Sequence, residues 1–415
     1  MASRIEITAR RIVPKRYHRA ALRFLAFISG TLQKLWSVVP GDSTLFGPPR
    51  GISDEETVAT TRGRTSSRTV CRGAEHHVFQ TWRPLREKQP QHWKFVRASS
   101  LDLPEACIYS FKNARIVGRR GFLIDAEDRL VGFLSFEIAR RHDQQSIFMK
   151  VKLPRIAQLS LSVGVPTCDG MDNYFHWLFE VIPRIHLLKE SGLKIEKYYV
   201  PGDRAFQTET LRLVGIATSD AIEPSESAHL RCNEVIVPTR MPGISACAVA
   251  FLRQEFLRES VIGPQPLRRR RLYISRATAP GRRVRNEEVL SVELTRMGFE
   301  VAVLEKLSVA QQVRLFHEAA VVIGPHGAGM SNLVFCQAQT LVIEMFAPEY
   351  VNAVYGQLAG LCELRYLYYI CHGRTVQPGQ PDVVRQDMFV DTAEFIPLVR
   401  AATETTNAYG SESGR

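Results

Sequence analysis

The sequence predicts an α/β protein whose carboxyl-terminal half forms a parallel, doubly wound sheet. Short apolar, β-branched runs alternate there with helical segments, and near-continuous apolar strands between helices are typical of parallel sheets covered on both faces. Glycines, arginines and a glutamate that could bind a ligand fall at the carboxyl ends of these strands, which is where such sheets bind ligands. The length of 415 residues leaves room for two domains of ordinary size.

The second domain, predicted over residues 272–400, has its elements in regular order. Its predicted strands are 272–275, 299–304, 319–323, 340–346 and 364–370. Its predicted helices are 286–297, 309–319 with Ser308 as the cap, 330–337 and 389–400. Residues 263–271 are predicted to be the linker before this domain, and residues 401–415 are predicted to be disordered.

The first domain is predicted over residues 75–262, after a linker at 40–74 that is rich in Gly, Pro, Ser, Thr and Arg. Its predicted strands are 114–117, 122–125, 131–136, 197–200 and 234–238. Its predicted helices are 208–215, 246–260 and one that begins at Asp172 or Asn173. On that last helix His176 and Glu180 are four residues apart and share one face, with Asp172 a turn earlier. This polar stripe is a candidate active-site feature, and the alternative is a structural histidine bonded to a carboxylate.

The turn between the predicted strand 319–323 and the helix 330–337 is the most informative stretch of the chain. It consists of Gly324, Pro325, His326, Gly327, Ala328 and Gly329. Glycines allow a sharp bend and a close approach of the backbone to a ligand. A helix that starts there leaves unpaired N–H groups where the helix dipole favours an anion. We therefore expect a phosphate or diphosphate site, with His326, Ser331 and Asn332 as further donors; the alternative is a turn that binds nothing.

The spacing of these glycines argues against two common nucleotide-binding classes. It is neither the dinucleotide fingerprint nor the P-loop with its Lys and Ser/Thr. Arg276 and Arg283, which follow the strand 272–275, could neutralise phosphates, and Glu344 could accept hydrogen bonds from a ribose. Together these residues predict a receptor for a nucleoside diphosphate.

Composition and charge exclude several other classes. The net charge is +12, but residues 1–70 supply +7 of it, and the arginine run 268–271 is expected to be solvated, so a nucleic-acid partner is not predicted. The eight cysteines form no C-x-x-C pair, which argues against zinc and against a disulfide framework. The chain contains no Asn-x-Ser/Thr sequence. We therefore expect reduced thiols and a cytoplasmic, bacterial protein.

Residues 1–39 form a basic segment followed by an apolar one. The apolar run is too short for a transmembrane helix. It could form an amphipathic helix that touches the inner face of a membrane through residues 10–36, and the alternative, which we favour, is a disordered or loosely docked tail. The candidate lipid contacts are Phe24, Leu25, Phe27, Ile28, Leu32, Leu35 and Trp36.

Two motifs make the chain resemble glycosyltransferase family 61 over residues 158–370. They are the segment 324–333, Gly-Pro-His-Gly-Ala-Gly-Met-Ser-Asn-Leu, followed by Glu344, and the segment 173–184, Asn-Tyr-Phe-His-Trp-Leu-Phe-Glu-Val-Ile-Pro-Arg. The resemblance implies a GT-B-like fold, with two Rossmann-like domains facing a central cleft. It implies an inverting, metal-independent transferase with donor contacts in the second domain, similar to bacterial members that make capsular or other surface polysaccharides.

The resemblance also places individual residues on the family's recurring positions. In the second domain these are Arg276, Asn286, Gln311, His326, Gly327, Gly329, Asn332 and Glu344. In the upstream motif they are Tyr174, His176, Trp177, Pro183 and Arg184. The predicted donor-binding set is Arg276, Arg283, Asn286, His326, Gly327, Ala328, Gly329, Ser331, Asn332 and Glu344.

A transfer from a nucleotide sugar to a glycan or lipid-linked glycan needs a base for the acceptor hydroxyl. The candidates are His176 first, then Asp172 and Glu180, with His326 as a competitor. The chain has no Asp-x-Asp motif, so no metal and no other cofactor is expected. Two other functions stay open: a nucleotide-sugar epimerase of the same shape, and a protein that binds polyanions through the arginine run.

Overall fold

The computed structural model describes residues 18–39, 43–45, 47–60, 66–79, 82–86, 89–137, 140–241, 243–263, 270–372 and 383–412. The chain divides into two compact units. Unit 1 is Met1–Ala74 with Pro104–Pro242, and unit 2 is Glu75–Leu103 with Gly243–Arg415.

The strands, in chain order, are β1 (Gly51–Ser53), β2 (Ser66–Arg72), β3 (Glu75–Val78), β4 (Arg83–Pro84), β5 (Ser100–Leu103), β6 (Ala106–Lys112), β7 (Arg115–Val117), β8 (Phe122–Ile124), β9 (Arg129–Val131), β10 (Ala157–Gly164), β11 (Lys197–Tyr199), β12 (Ala221–Ile222), β13 (His229–Pro238), β14 (Arg270–Ile274), β15 (Phe299–Ala302), β16 (Ala319–Pro325), β17 (Leu341–Phe346) and β18 (Arg365–Ile370).

The α-helices are α1 (His18–Val38), α2 (Glu55–Thr60), α3 (Trp93–Arg97), α4 (Tyr174–His176), α5 (Ile182–Glu190), α6 (Ala205–Leu213), α7 (Ala246–Phe256), α8 (Glu259–Ile262), α9 (Glu287–Arg296), α10 (Val309–His317), α11 (Val354–Leu361) and α12 (Thr392–Glu412). A π-helical turn spans Trp177–Val181. The 3₁₀ helices are His142–Gln144, Ser146–Met149, Thr218–Asp220, Leu304–Lys306, Ala328–Phe335 and Val383–Arg385.

Unit 2 contains a parallel six-stranded sheet in the order β15-β14-β16-β17-β18-β4. Its strands β14 to β18 confirm the predicted alternation. Their inward residues form one core, in which Tyr273, Ile323 and Ile343 are fully buried. The sixth strand was not predicted: β4, only two residues long, pairs with β18. The segment 75–103 therefore belongs to this unit, which corrects the predicted boundary.

Aromatic packing explains why the segment 75–103 belongs to unit 2. The Phe95 ring stacks on Tyr368 with centroids 4.2 Å apart. The Trp82 indole N–H donates to the carbonyl of Gly356 at 2.9 Å. These contacts bury large apolar rings, which is a strong contribution to stability. They join residues more than 250 positions apart, so local sequence patterns could not reveal them.

Unit 1 contains a mixed ten-stranded sheet rather than the predicted doubly wound one. Its main path is β1-β9-β8-β7-β13-β10-β11-β12, with β6 paired to β13 and to β2. The run β13-β10-β11-β12 is parallel, whereas β6 and β7 both pair antiparallel with β13. The α/β class is confirmed, while the GT-B arrangement of two domains stays a prediction.

Both predicted tails and the first linker differ from the structure where it describes them. Residues 40–74 contain β1, α2 and β2 rather than a linker; β2 pairs with β6 along a largely exposed edge, so it lacks a clear apolar alternation. Helix α12 extends to Glu412, and only 413–415 of the predicted disordered tail lie outside the described residues. At the amino-terminal end the structure has helix α1 where we favoured a disordered or loosely docked tail. Residues 1–17 lie outside the described residues. Within the described ranges, no helix has the length and apolar character needed to cross a membrane.

The capping of α10 gives a test of the fold. The Ser308 hydroxyl accepts from the Gln311 N–H at 3.2 Å, and the Gln311 side chain accepts from the Ser308 N–H at 2.8 Å. We expect Ser308→Ala to lower the free energy of unfolding by about 1 kcal/mol in urea melts, because an N-cap is lost. Ser291→Ala is the control, since its hydroxyl bonds the Glu288 carbonyl within α9. Equal effects of the two changes would contradict the capping account.

Candidate functional site

The candidate site lies in unit 2, at the carboxyl ends of three neighbouring strands. Arg276 follows β14, His326 follows β16, and Glu344 lies near the end of β17. Because β14, β16 and β17 are parallel neighbours, these ends share one edge of the sheet. This is the edge at which parallel α/β sheets bind ligands.

The glycines of the turn permit close packing. The chain bends at His326 and Gly327, and Gly327 itself has φ 176°, which is extended backbone. A Cβ atom on Gly327 would lie 2.0 Å from Nη1 of Arg276, and one on Gly329 would lie 2.8 Å from Cδ1 of Leu304. The absence of side chains is therefore what lets the Arg276 guanidinium lie against the turn.

The amide groups of the turn remain available as donors. The predicted helix 330–337 is a 3₁₀ helix, Ala328–Phe335, which starts earlier in the chain. The N–H groups of Gly327, Ala328 and Gly329 make no hydrogen bond to any residue that the structure describes. Ala328 and Gly329 are also partly exposed. Three such donors at a helix start can bind an anion.

Arg276 lies against this turn and Arg282 is near enough for its charge to act on Arg276; neither has a carboxylate partner among the described residues. The Nη2 of Arg276 donates to the Gly281 carbonyl at 3.0 Å and Nη1 of Arg282 donates to the Val384 carbonyl at 3.2 Å. Both Nε atoms are buried without an acceptor among the described residues. In the same part of the chain neither guanidinium has a carboxylate within 4.0 Å. Burial lowers the pKa of Arg276, and the charge of Arg282 lowers it further. Both guanidinium groups can therefore pair with an anionic ligand.

Arg282 therefore replaces Arg283 as the second candidate for phosphate binding. The Nη2 of Arg283 lies 2.9 Å from Oδ2 of Asp387, and its side chain is half exposed. Arg282 instead lies over the Tyr350 ring, 5.1 Å from its centroid. It also has φ 57°, a conformation that non-glycine residues seldom adopt outside functional or constrained sites. The adjacent arginines could not be told apart by sequence alone.

Three further residues that were predicted to contact the nucleotide sugar bond to other residues of the protein. The amide of Asn286 bonds both the carbonyl and the N–H of Val390, at 2.7 and 3.1 Å. Ser331 is fully buried, 3.2 Å from the Tyr355 hydroxyl. Asn332 is fully buried and donates to the Gln312 side chain at 2.9 Å. These residues hold the turn and the last segment in place, and their predicted role in donor binding stays a prediction.

His326 and Glu344 form a buried pair, and the predicted contact of Glu344 with a ribose stays a prediction. The Nδ1 of His326 lies 2.5 Å from Oε1 of Glu344, and the other carboxylate oxygen accepts from the Tyr366 hydroxyl. Glu344 has no exposed surface. The imidazole stacks near Phe346, with centroids 5.3 Å apart. The pair fixes Nδ1 as the bonded ring nitrogen and leaves Nε2 for a ligand.

The upstream motif lies in unit 1 around a π-helical turn. Asn173 is the cap of α4, since its Oδ1 accepts from the Phe175 N–H at 2.9 Å. His176 Nδ1 lies 2.8 Å from Oε1 of Glu180, which is buried. Arg240 approaches the other oxygen of Glu180 at 3.8 Å. A π-helical turn in this position, Trp177–Val181, is a feature often found at functional sites.

Asp172 is a poor candidate for the base. Burial alone would raise its pKa, but the hydrogen bond and charge of Arg119, helped by Arg204, lower the pKa overall. The Arg119 contact is 2.8 Å long. A carboxylate held ionised in this way accepts a proton weakly. Arg184 of the same motif is structural, because it donates to the carbonyls of Pro166, Thr167 and Pro238.

The two remaining predictions concern the arginine run and the absence of a metal. Arg270 pairs with Glu300 and Glu318, and Arg271 donates to the carbonyl of Met297 at 3.1 Å; residues 268 and 269 lie outside the description. The described ranges contain no group of three or more His, Cys, Asp or Glu side chains that could hold a metal ion. Metal independence stays a prediction.

A family model matches part of the chain. Residues 174–343 match the model of the family described as Glycosyltransferase 61. This range includes His176, His326 and the rest of the glycine turn, and it ends one residue before Glu344. The match supports the predicted class, a glycosyltransferase, and the predicted family.

A curated relative gives a more particular comparison. The chain is 35% identical over 288 residues to the rice (Oryza sativa subsp. japonica) β-1,2-xylosyltransferase XAX1. The alignment covers 56% of this chain and 50% of the rice protein, so the chain spans about half the length of this curated relative. The relative is a plant protein, and the bacterial origin and capsular role stay predictions.

The contact between Gly327 and Arg276 can be tested directly. We expect Gly327→Ala to weaken binding of UDP, used as the probe, by about tenfold or more, because the new methyl group occupies the position of the guanidinium. Isothermal titration measures this. Gly73→Ala is the matched control, since no atom lies within 4 Å of the added Cβ. Unchanged UDP affinity in Gly327→Ala would show that this contact does not build the site.

Proposed function

We propose that the chain transfers a pentose from a nucleoside diphosphate sugar to a hydroxyl of a glycan or lipid-linked glycan, with inversion and without a metal. The observation that carries the proposal is the pair Arg276 and Arg282, which have no carboxylate partner in the described part of the chain. Arg276 lies against the glycine turn, whose three amides are available as donors. Cytoplasmic synthesis of a surface or capsular polysaccharide is the setting we propose, from the cysteine and sequon usage.

The two arginines supply what a diphosphate leaving group needs. A buried guanidinium without a counter-charge carries a desolvation penalty, and the binding of a diphosphate removes it. Negative charge grows on this group as the sugar leaves, so preorganised cations and amides stabilise the transition state more than the ground state. Two planar guanidinium groups can fill the role that a divalent ion has in other transferases.

His326 acts on the donor side in this proposal. Its neighbour Tyr350 lies between it and Arg282: the His326 and Tyr350 ring centroids are 5.5 Å apart, and Arg282 is 5.1 Å from the same tyrosine ring. The buried Glu344 carboxylate orients the imidazole through Nδ1. Nε2 of His326 can then form a hydrogen bond with the phosphate or with the transferred sugar.

His176 acts as the base in this proposal. The Glu180 carboxylate holds Nδ1, so Nε2 can take the proton of the acceptor hydroxyl while Glu180 stabilises the resulting imidazolium. Glu180 is 5% exposed, so it acts through His176 rather than on the substrate. The single base fits an inverting displacement, which needs no covalent intermediate.

The rice relative supports the choice of sugar and of stereochemistry. Its name specifies a β-1,2-linked xylose. A β-linked product made from an α-linked nucleotide sugar requires inversion at the anomeric carbon. We therefore propose a pentose, with xylose as the first to test.

A thermal-shift screen tests the donor site. UDP, GDP, CMP, ADP and dTDP are compared with and without EDTA. We expect one diphosphate to stabilise the protein, by about 2.7 kcal/mol at a hundred times its dissociation constant, and to do so equally in EDTA. Arg276→Ala should lose the shift. Failure of every nucleotide to raise the melting temperature would contradict the donor site.

Substitution of His176 tests the base. We expect His176→Ala to reduce transfer from the best donor by about 10²- to 10⁴-fold, while the thermal shift by that donor is unchanged. His186→Ala is the matched control, because His186 lies on the next helix with Glu190 also four residues on, at 3.4 Å. An equal loss in both variants would contradict the assignment. Conversion of the donor sugar to an epimer without any acceptor would instead favour an epimerase.

A further inference from the structure

Helix α1 is attached to unit 1 by one face. Ala26, Ser29 and Gly30 are buried on this face. The Ser29 hydroxyl donates to the carbonyl of Gln145 at 2.5 Å, and the Gly30 position is close to the side chain of Gln144. The helix is therefore a fixed part of the unit and cannot turn its other face inward.

The opposite face of α1 is apolar and exposed. Phe24 is 63% exposed, Phe27 67%, Leu35 56% and Val38 76%. At 100° per residue these four side chains fall within a stripe roughly 80° wide, and the buried face lies about half a turn away. Thr31 lies in the same stripe, but its hydroxyl donates to the Phe27 carbonyl at 3.0 Å. The polar group is therefore already satisfied.

Further exposed apolar side chains lie near the carboxyl end of the helix. The Trp36 ring packs against Gly47, and the Gly47 N–H donates to the Val151 carbonyl at 2.7 Å. Val151 is 76% exposed, and Leu45 is 69% exposed. Soluble proteins rarely leave an apolar stripe such as the outer face of α1 without a partner.

The positive charge of the neighbouring sequence favours an anionic partner for this face. Residues 18–38 contain no Asp or Glu, and residues 1–23 contain seven Lys or Arg and one Glu. A second copy of the chain would bring the same positive charge to a two-fold interface, whereas an anionic lipid surface complements it. We propose that the outer face of α1 lies in the interface of an anionic lipid bilayer, with Phe24, Phe27, Leu35 and Val38 inserted among the lipids.

The proposed helix lies along the surface and does not cross the bilayer. This is the behaviour of helices with one strongly apolar face and a basic flank. The apolar stripe supplies the binding free energy and the basic residues supply the preference for anionic lipid. This proposal is independent of the transferase reaction, because it concerns residues outside the proposed site.

Vesicle co-sedimentation of the full chain tests the proposal. We expect binding to phosphatidylcholine vesicles that contain about 30% phosphatidylserine, weak binding to pure phosphatidylcholine, and release at high salt. The double variant Phe24→Glu/Phe27→Glu should bind the anionic vesicles about tenfold more weakly or worse. Val289→Glu/Val292→Glu is the matched control: it adds the same charge at two residues of α9 that are 55% and 51% exposed, and it should bind as the wild type.

Circular dichroism and light scattering complete the test. If the first double variant fails to fold, Leu35→Glu/Val38→Glu, at the other end of the stripe, takes its place. The proposal is overturned if the wild type ignores both vesicle types, or if the α1 and α9 variants bind equally. A third result also overturns it: the wild type forms a dimer, does not bind vesicles, and is dissociated into monomers by Phe24→Glu/Phe27→Glu. The outer face of α1 would then join two copies of the chain.

Discussion

The site depends on two positive charges that no carboxylate of the described residues neutralises. Arg276 and Arg282 come after β14, and the turn after β16 accepts the Arg276 guanidinium because Gly327 has no side chain. Glu305 and Glu287 act on Arg276 only at longer range. Both guanidinium groups are partly buried, and their Nε atoms are buried without an acceptor among the described residues. Such an arrangement costs stability, and a protein that keeps it gains a preformed receptor for an anion.

Two histidines have the same relation to a buried carboxylate but are built differently. His176 and Glu180 are four residues apart on one helical segment, so their pairing is local. His326 and Glu344 come from neighbouring strands and meet only because β16 and β17 are in register, with Gly324 opposite Glu344. In each pair the carboxylate holds Nδ1. This common arrangement leaves each Nε2 free to act on a substrate, on the acceptor side for His176 and on the donor side for His326 in our proposal.

The parallel sheet, the glycine turn and the positions of Arg276 and His326 could be predicted because they depend on local patterns of apolar residues and glycines. The roles of Arg283 and Glu344 could not. Asp387, which holds Arg283, is 104 residues away, and Glu344 looks like any polar residue at a strand end until its strand is placed beside His326. The attachment of residues 75–103 to unit 2 depends on one two-residue strand and on packed aromatic rings, neither of which has a sequence period.

In our proposal Arg282, and not its neighbour Arg283, binds the diphosphate. Calorimetric titration tests this assignment. UDP, or whichever nucleoside diphosphate stabilises the protein most, is titrated into Arg282→Ala and Arg283→Ala, two variants that lose the same charge at adjacent positions. We expect Arg282→Ala to bind about tenfold more weakly or worse and Arg283→Ala to bind within about twofold of the wild type, since its exposed ion pair with Asp387 contributes little. The reverse order of affinities would contradict the account.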